Sequence, residues 1–165
     1  LVQKDKVPSP VQSVLNSVNS SGASIIGGTG AVSSNVQSAL GFSADALVNT
    51  AKQYIGTPYR YGGTTPSGFD CSGYIKFVFE KHGINTPRTT SDLYAGGKSV
   101  SKLEVGDIVF FKTDPSHNGA SHAGIYIGDN KFIHAKSAGS NIGVTIDEMS
   151  NSYFYPRYLG AKRYH

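Results

Sequence analysis

The sequence Phe69-Asp70-Cys71-Ser72-Gly73 begins the segment that decides the fold of this chain. Behind Cys71, side chains suited to a buried face recur every three or four residues, at Ile75, Val78, Phe79 and His82. This period of 3.6 residues predicts a helix with one buried face, which Gly83 ends. Asp70 is a favourable N-cap residue, so Cys71 is predicted to lie in the first helical turn.

Cys71 is the only cysteine of the chain, and its surroundings are those of a nucleophile. The unpaired N–H groups and the positive end of the macrodipole at a helix start stabilise a thiolate. The charge of Asp70 is expected to raise the pKa of the thiol unless a histidine cation offsets it. The alternative interpretation is a packed, unreactive cysteine. A single cysteine also excludes an internal disulfide.

The composition changes along the 165 residues. Residues 1–42 are rich in Ser, Gly, Asn and Val and contain no aromatic residue before Phe42, whereas all 10 tyrosines and seven of the 8 phenylalanines follow it. We therefore predict a low-complexity Ser/Gly-rich linker or N-terminal extension over residues 1–42 and one packed domain over residues 43–165. A flexible linker and a segment that packs over the domain both remain open.

The charge pattern limits the class of partner. The net charge is +4, but the basic residues are scattered, so a nucleic-acid site is only a weak hypothesis and we expect none; a cell wall bearing anionic polymers suits a mildly basic surface equally well. No apolar run reaches the roughly 18 residues that a membrane helix requires, and no signal peptide is recognisable. We expect no membrane span.

The remaining elements indicate an α+β fold. A helix is predicted from its N-cap Ser43 to a stop at Gly56, with Leu47, Ala51, Tyr54 and Ile55 on its buried face. A polar loop after Gly83 leads into a short helix. Strands are predicted at residues 108–111, 122–127, 131–136, 142–146 and 153–164. Helices near the amino end of the domain would then pack on an antiparallel sheet at its carboxyl end.

The predicted hairpin around Gly128-Asp129-Asn130 brings two histidines together. With a three-residue loop, Ile127 lies opposite Lys131, and His122 and His134 project from the same face of the sheet. A two-residue loop would shift the register by one residue and place the two rings on opposite faces.

Two imidazoles on one face support two kinds of site. In nucleophilic catalysis, His122 accepts the proton of Cys71, and His134 orients His122. A zinc site with Cys71 and either His117 or Asp114 is the alternative, although no closely spaced ligand pair is present. Two solvated histidines without a function remain the third interpretation. Ordinary surface or core roles are predicted for His82 and His165.

From about Ser43 to its end, the chain resembles the NlpC/P60 cysteine peptidases, papain-like enzymes that cut bacterial cell-wall peptides. The resemblance rests on six blocks in the order of the family pattern, at residues 56–63, 69–73, 87–89, 105–111, 122–128 and 132–135. It implies a papain-like fold in which N-terminal helices pack on a central antiparallel sheet. The implied nucleophile is Cys71, the implied base His122 and the implied orienting residue His134.

The resemblance also implies residues that contact the substrate. Tyr59 would lie beside the cysteine, where its hydroxyl helps to hold the developing oxyanion. Asp70 and Ser72 match positions that contact the substrate peptide in some relatives, although helix capping explains them equally well. Arg88 matches an arginine of the family pattern and is grouped with these two as a substrate-binding candidate.

The implied activity is that of a peptidoglycan hydrolase, an endopeptidase of stem peptides that cuts between D-glutamate, joined through its side-chain carboxyl, and a diamino acid. No cofactor is expected. An amidase of related architecture that cuts between sugar and peptide is one alternative. A wall-binding or phage-tail-associated module with low activity is another. The implied location is extracellular and associated with the cell wall, or with a virion particle in the last case.

Overall fold

The computed structural model describes residues 41–165, so the predicted linker lies outside the described residues except for its last two positions. The helices are α1 (Ala44–Lys52), α2 (Cys71–Glu80) and α3 (Thr90–Ala95). The strands are β1 (Thr64–Thr65), β2 (Gly68–Phe69), β3 (Lys98–Val100), β4 (Ile108–Phe111), β5 (His122–Gly128), β6 (Lys131–Lys136), β7 (Gly143–Glu148) and β8 (Tyr158–Arg163). A 3₁₀ turn, Tyr155–Arg157, precedes β8.

An antiparallel sheet of six strands, in the order β3-β8-β4-β5-β6-β7, forms the centre of the described part. Helices α1 and α2 cover one face, where Phe69, Tyr74 and Ile133 belong to the main core. The other face carries a second apolar cluster that includes Phe132 and Phe154. This arrangement confirms the predicted α+β class. No helix in residues 41–165 has the length and apolar character needed to cross a membrane.

Helix α1 begins as predicted, because the Ser43 side chain accepts a backbone N–H of the first turn. It ends short of the predicted stop at Gly56. The chain leaves the helix there to pair with β7: the Gly56 N–H donates to the Val144 carbonyl at 2.9 Å, and the Val144 N–H donates to the Thr57 carbonyl at 2.8 Å. The prediction that Ile55 is buried is therefore wrong, since this residue is 50% exposed.

Helix α2 places the cysteine as predicted. The Gly73 N–H donates to Asp70 Oδ1 at 2.7 Å, and this cap makes Cys71 the first residue of the helix. The Tyr74 hydroxyl donates to the Ala51 carbonyl at 2.7 Å, which fixes α2 against α1. The regular helix ends at Glu80, and the predicted stop, Gly83, follows it with a positive φ of 74°.

The tip of the β5–β6 hairpin differs from the prediction. Its turn contains two residues, Asp129 and Asn130, with φ values of 50° and 60°. Two consecutive positive φ angles are typical of a type I′ turn, which closes a two-residue hairpin. Gly128 therefore lies opposite Lys131, and the predicted three-residue loop is wrong.

A shorter turn alone would place His122 and His134 on opposite faces of the sheet, but a β-bulge at Ile127 restores the register. The register shifts between Tyr126 and Gly128, and Tyr126 then pairs with Phe132 as the three-residue loop would have required. The extra residue in β5 compensates for the residue missing from the turn. His122 and His134 consequently project from the same face, as predicted.

The structure contains three short strands that the sequence does not predict, and one predicted strand, β7, ends later than expected. The predicted turn-rich loop before Cys71 contains the small hairpin β1–β2, which an isolated parallel bridge between Tyr59 and Phe69 joins to the preceding chain. Strand β3 lies at an edge of the sheet and pairs with β8. Strand β7 continues beyond the predicted end at Ile146 to Glu148, and this extension adds Asp147 to the sheet.

Candidate active site

The sulfur of Cys71 lies between the start of α2 and the start of β5. The side chain is 8% exposed, and Sγ is 3.4 Å from Thr90 Oγ1. Helix α2, which begins with Cys71, packs against β5, the strand that begins with His122. Burial raises the pKa of Cys71, and the charge of Asp70 adds to this effect, while the Thr90 hydroxyl opposes it.

The two histidines of the hairpin are in direct contact. His122 Nε2 and His134 Nδ1 are 2.7 Å apart, and both side chains are buried. Gly124 makes room for this pair, because a Cβ atom at this position would lie 3.0 Å from His134 Cβ and 2.6 Å from the Phe132 ring. A glycine at this position therefore leaves space for the His134 imidazole.

Aromatic rings pack against the histidine pair and bury it. The Phe132 ring lies 4.6 Å from the His134 ring, and the Phe154 ring lies 5.9 Å from the His122 ring, centre to centre. This burial lowers the pKa of His122 to about 3, and the neighbouring His134 contributes to the decrease. Burial also lowers the pKa of His134. Both rings are therefore neutral near pH 7.

A carboxylate continues the chain of contacts beyond the histidines. His134 Nε2 is 3.0 Å from Asp147 Oδ2, and the Lys136 ammonium donates to the same oxygen at 3.0 Å. The hydrogen bond from His134 lowers the pKa of Asp147 to about 2, and the bond from Lys136 adds to this effect.

Sequence reasoning missed Asp147 because it ended β7 at Ile146. Once the strand is extended, Thr145 pairs with His134, and Asp147 lies two residues further along on the same face. The alternation of polar residues at Thr145 and Asp147 was the signal that could have indicated a longer strand with Asp147 on the face of His134. Thr90, whose hydroxyl contacts the Cys71 sulfur, was also missed, and no pattern in its segment points to this contact.

The three candidate substrate-binding residues form one bonded group beside the cysteine. Arg88 donates from Nη1 to Asp70 Oδ1 at 3.0 Å and from Nη2 to Asp70 Oδ2 at 2.6 Å. Nη1 also donates to Ser72 Oγ at 2.9 Å. Arg88 therefore joins the 87–89 block to the start of α2, and its positive charge offsets the charge of Asp70 near the thiol.

Tyr59 lies close to Cys71 and Asp70. Burial raises the pKa of the Tyr59 hydroxyl to about 12, and negative charge on Cys71 and on Asp70 acts in the same direction. The phenol therefore keeps its proton near neutral pH and remains able to donate a hydrogen bond.

The residues of the alternative zinc site have other partners. Asp114 lies in an exposed loop and accepts hydrogen bonds from the backbone and the hydroxyl of Ser116. His117 contacts the Ser91 hydroxyl at 3.0 Å. Within residues 41–165, no three His, Cys, Asp or Glu side chains converge in a way that would hold a metal ion. Elsewhere, His82 contacts the Thr50 hydroxyl and His165 stacks on Phe42.

A cleft of about 580 Å³ has His122 in its lining. Thr113, Asp114, Lys136, Tyr153 and Phe154 are among its lining residues. A space of this size accommodates a short peptide segment next to the imidazole.

The chain matches the sequence pattern of a family described as the NlpC/P60 family over residues 56–163. It is 52% identical over 118 residues to a probable peptidoglycan endopeptidase, LytE, of Bacillus subtilis, in an alignment that covers 72% of this chain and 34% of the relative. It is 37% identical over 124 residues to a gamma-D-glutamyl-L-lysine dipeptidyl-peptidase of Bacillus cereus, covering 74% of this chain and 37% of that protein. The chain thus spans little more than a third of the length of these relatives.

Solved structures with the same fold include a crystal structure of an NlpC/P60 family protein from Bacillus cereus, with a TM-score of 0.68 and 36% identity. That alignment covers 74% of this chain and 40% of the solved chain. The NlpC/p60 domain of the peptidoglycan hydrolase SagA gives a TM-score of 0.61 and 30% identity, covering 74% of this chain and 99% of that domain.

Proposed function

Because this chain belongs to the NlpC/P60 family, we propose that it is a cysteine endopeptidase that cuts the stem peptides of peptidoglycan. The bond cut is the one between D-glutamate, through its side-chain carboxyl, and the diamino acid. A Bacillus cereus relative whose name states a gamma-D-glutamyl-L-lysine specificity supports this choice of bond.

One observation carries the proposal: a lone cysteine at a capped helix start lies against the strand that begins with a buried imidazole. Cys71 is the first residue of α2, which packs against β5, and His122, the first residue of β5, is bonded at 2.7 Å to a second imidazole, His134. A nucleophile, a base and an orienting group adjacent to a cleft are the parts that acyl transfer requires.

The reaction begins with a neutral thiol and a neutral imidazole, because burial disfavours the charged form of each. As Cys71 Sγ attacks the substrate carbonyl, its proton passes to His122 and a carbon–sulfur bond forms. The imidazolium then protonates the amine of the diamino acid, and the carbon–nitrogen bond breaks. A water molecule next gives one proton to His122 and its hydroxide to the thioester, which releases the acid and restores the thiol.

The oxyanion of the tetrahedral intermediate requires hydrogen-bond donors. Tyr59 supplies one, since its raised pKa keeps the phenol protonated. Asp70, Ser72 and Arg88 are the proposed substrate-binding residues, and they act as a unit because Arg88 bonds both carboxylate oxygens of Asp70 and the hydroxyl of Ser72. Cofactors have no role in this scheme.

The proposed location is the cell wall outside the cell. Relatives named for murein and peptidoglycan hydrolysis support it, and the net charge of +4 is compatible with contacts to anionic wall polymers. A location on a phage tail is the alternative.

The test is digestion of purified peptidoglycan by the full chain and by a Cys71→Ala variant. We expect the wild type to release fragments whose masses show a free D-glutamate side-chain carboxyl and a new amino terminus on the diamino acid, and the variant to release none. Undiminished release by Cys71→Ala would refute the proposal. Intact stem peptides freed from sugar would instead indicate the amidase. No release of fragments by the wild type would indicate a wall-binding module.

Two histidine variants provide the matched control. His122→Gln is expected to abolish release, whereas His117→Gln, in an exposed loop outside the histidine pair, is expected to retain it. Loss of activity in His117→Gln, together with loss after treatment with a chelator, would favour the zinc site.

A further inference from the structure

The contacts of the two buried histidines fix which ring nitrogens carry protons. Asp147 Oδ2 lies 3.0 Å from His134 Nε2, and an ionised carboxylate only accepts hydrogen bonds. The proton of neutral His134 must therefore be on Nε2, which leaves Nδ1 of that ring as an acceptor. His122 Nε2 lies 2.7 Å from this Nδ1, so His122 must donate from Nε2.

Because the hydrogen bonds run from His122 to His134 and from His134 to Asp147, Nδ1 of His122 carries no proton. In a neutral imidazole only one nitrogen carries hydrogen, so a donating Nε2 requires a bare Nδ1. This is the nitrogen that remains to receive the Cys71 proton. Without Asp147, His134 is equally able to carry its proton on Nδ1, and His122 would then have to accept at Nε2 and hold its proton on Nδ1, where it cannot act as a base.

The surroundings make Asp147 the group that decides between the two arrangements. Among the described residues, the charged side chains that act on the histidine pair are Asp147 from β7 and Lys136 from β6. Lys136 donates to the same carboxylate oxygen at 3.0 Å and offers no acceptor. His134 is fully buried, so in the folded protein its Nε2 faces the carboxylate of Asp147 and not bulk water.

We propose that Asp147 is a positioning residue that sets the tautomers of both histidines and so leaves His122 Nδ1 free to act as the base. This inference rests on the proposed function. The carboxylate also stabilises the positive charge that His122 acquires during the reaction, because this charge is shared along the hydrogen bonds through His134. The effect is partial, since Lys136 neutralises part of the Asp147 charge.

The direct test is long-range ¹H–¹⁵N NMR of the full chain near pH 7, which reports the protonated nitrogen of each histidine. We expect wild-type His122 and His134 both to carry their protons on Nε2. A wild-type His134 protonated on Nδ1 would overturn the inference without any variant.

Variants at Asp147 test the effect on the reaction. Asp147→Leu is expected to shift His134 towards the Nδ1–H tautomer and to lower kcat about 10–100-fold, the range by which loss of the outer hydrogen-bond partner of a metal-ligating histidine lowers affinity or activity. KM is expected to stay within about twofold, because Asp147 touches no substrate in this scheme. Full kcat with unchanged tautomers in this variant would overturn the inference.

Asp147→Asn provides the conservative rescue. Since His134 and Lys136 both donate towards the same oxygen, the amide of this variant is expected to turn its oxygen to them and keep the Nε2–H tautomers. Its kcat should therefore exceed that of Asp147→Leu, and equal losses in the two variants would contradict a tautomer role. Glu148→Gln, an exposed neighbour on the same strand, is the matched control with wild-type kcat. Activity that survives in Cys71→Ala refutes the proposed function instead.

Discussion

Acidification is expected to destabilise the domain through His122, and a His122→Gln variant isolates this contribution. Burial lowers the pKa of His122 from its ordinary value of 6.5 to about 3 in the folded protein. Between pH 6.5 and about pH 3, the unfolded chain therefore binds a proton on His122 that the folded chain does not bind. The free energy of unfolding falls as the pH decreases through this range. Glutamine does not titrate, and its amide N–H is able to donate to His134 as the imidazole does.

The size of the effect follows from the pKa difference. From pH 6.5 to pH 4.5 the folded protein keeps His122 neutral, so the free energy of unfolding decreases by about 3 kcal/mol at about 1.4 kcal/mol per pH unit. His134 acts in the same direction because its pKa is also lowered. Asp147 does not contribute between pH 6.5 and pH 4.5. Its pKa is lowered from 3.8 to about 2, so the stability that it provides is lost only as the pH falls from its ordinary pKa towards its lowered one.

The assay is urea unfolding at pH 7.5 and pH 4.5 for the wild type and for His122→Gln. We expect the decrease between the two pH values to be smaller in the variant by about 3 kcal/mol. Phe79→Leu, in the core on the helical face, is the packing control and should lower stability equally at both pH values. The same decrease in wild type and His122→Gln would refute the reasoning that His122 is buried in its neutral form.

Three further substitutions test the geometry of the site. Gly124→Ala is expected to reduce the free energy of unfolding by about 1–3 kcal/mol, because its methyl group would collide with the Phe132 ring, and an unchanged urea midpoint would contradict this. Tyr59→Phe should lower kcat about 100-fold with little change in KM if the hydroxyl holds the oxyanion, whereas a change in KM alone would indicate ground-state binding. Arg88→Met should leave the negative charge of Asp70 uncompensated and so raise the pKa of the Cys71 thiol. Alkylation of Cys71 by iodoacetamide at pH 7 should then be slower, and an unaltered rate would exclude this electrostatic role.

Features that depend on local sequence were predictable. The N-caps Ser43 and Asp70 act through their own next turn, so the starts of α1 and α2 follow from the sequence alone. Strand β4 was also predicted with its observed bounds, since a short apolar run of β-branched and aromatic residues strongly favours a buried strand. The place of Cys71 at a helix start and of the two histidines in one hairpin was predictable for the same reason, because these motifs are local; their catalytic roles stay a prediction.

Features that depend on distant partners were not predictable. Helix α1 stops early because Gly56 bonds Val144, almost ninety positions away in the sequence. The extension of β7 to Asp147 depends on pairing with β6, which no pattern within β7 specifies. The hairpin prediction reached the correct face through a wrong turn length, because the compensating bulge at Ile127 leaves no mark in the alternation of apolar residues.

Because of that bulge, the number of residues between His122 and His134 decides whether the two imidazoles lie on the same face of the sheet. Adding or removing one residue there would send one ring to the far side of the sheet, while a paired change, one in the turn and one in the strand, would restore it. Length variation in this hairpin is therefore tolerated only in coupled steps. A graft that exchanges its tip for a longer one has to straighten β5 at the same time.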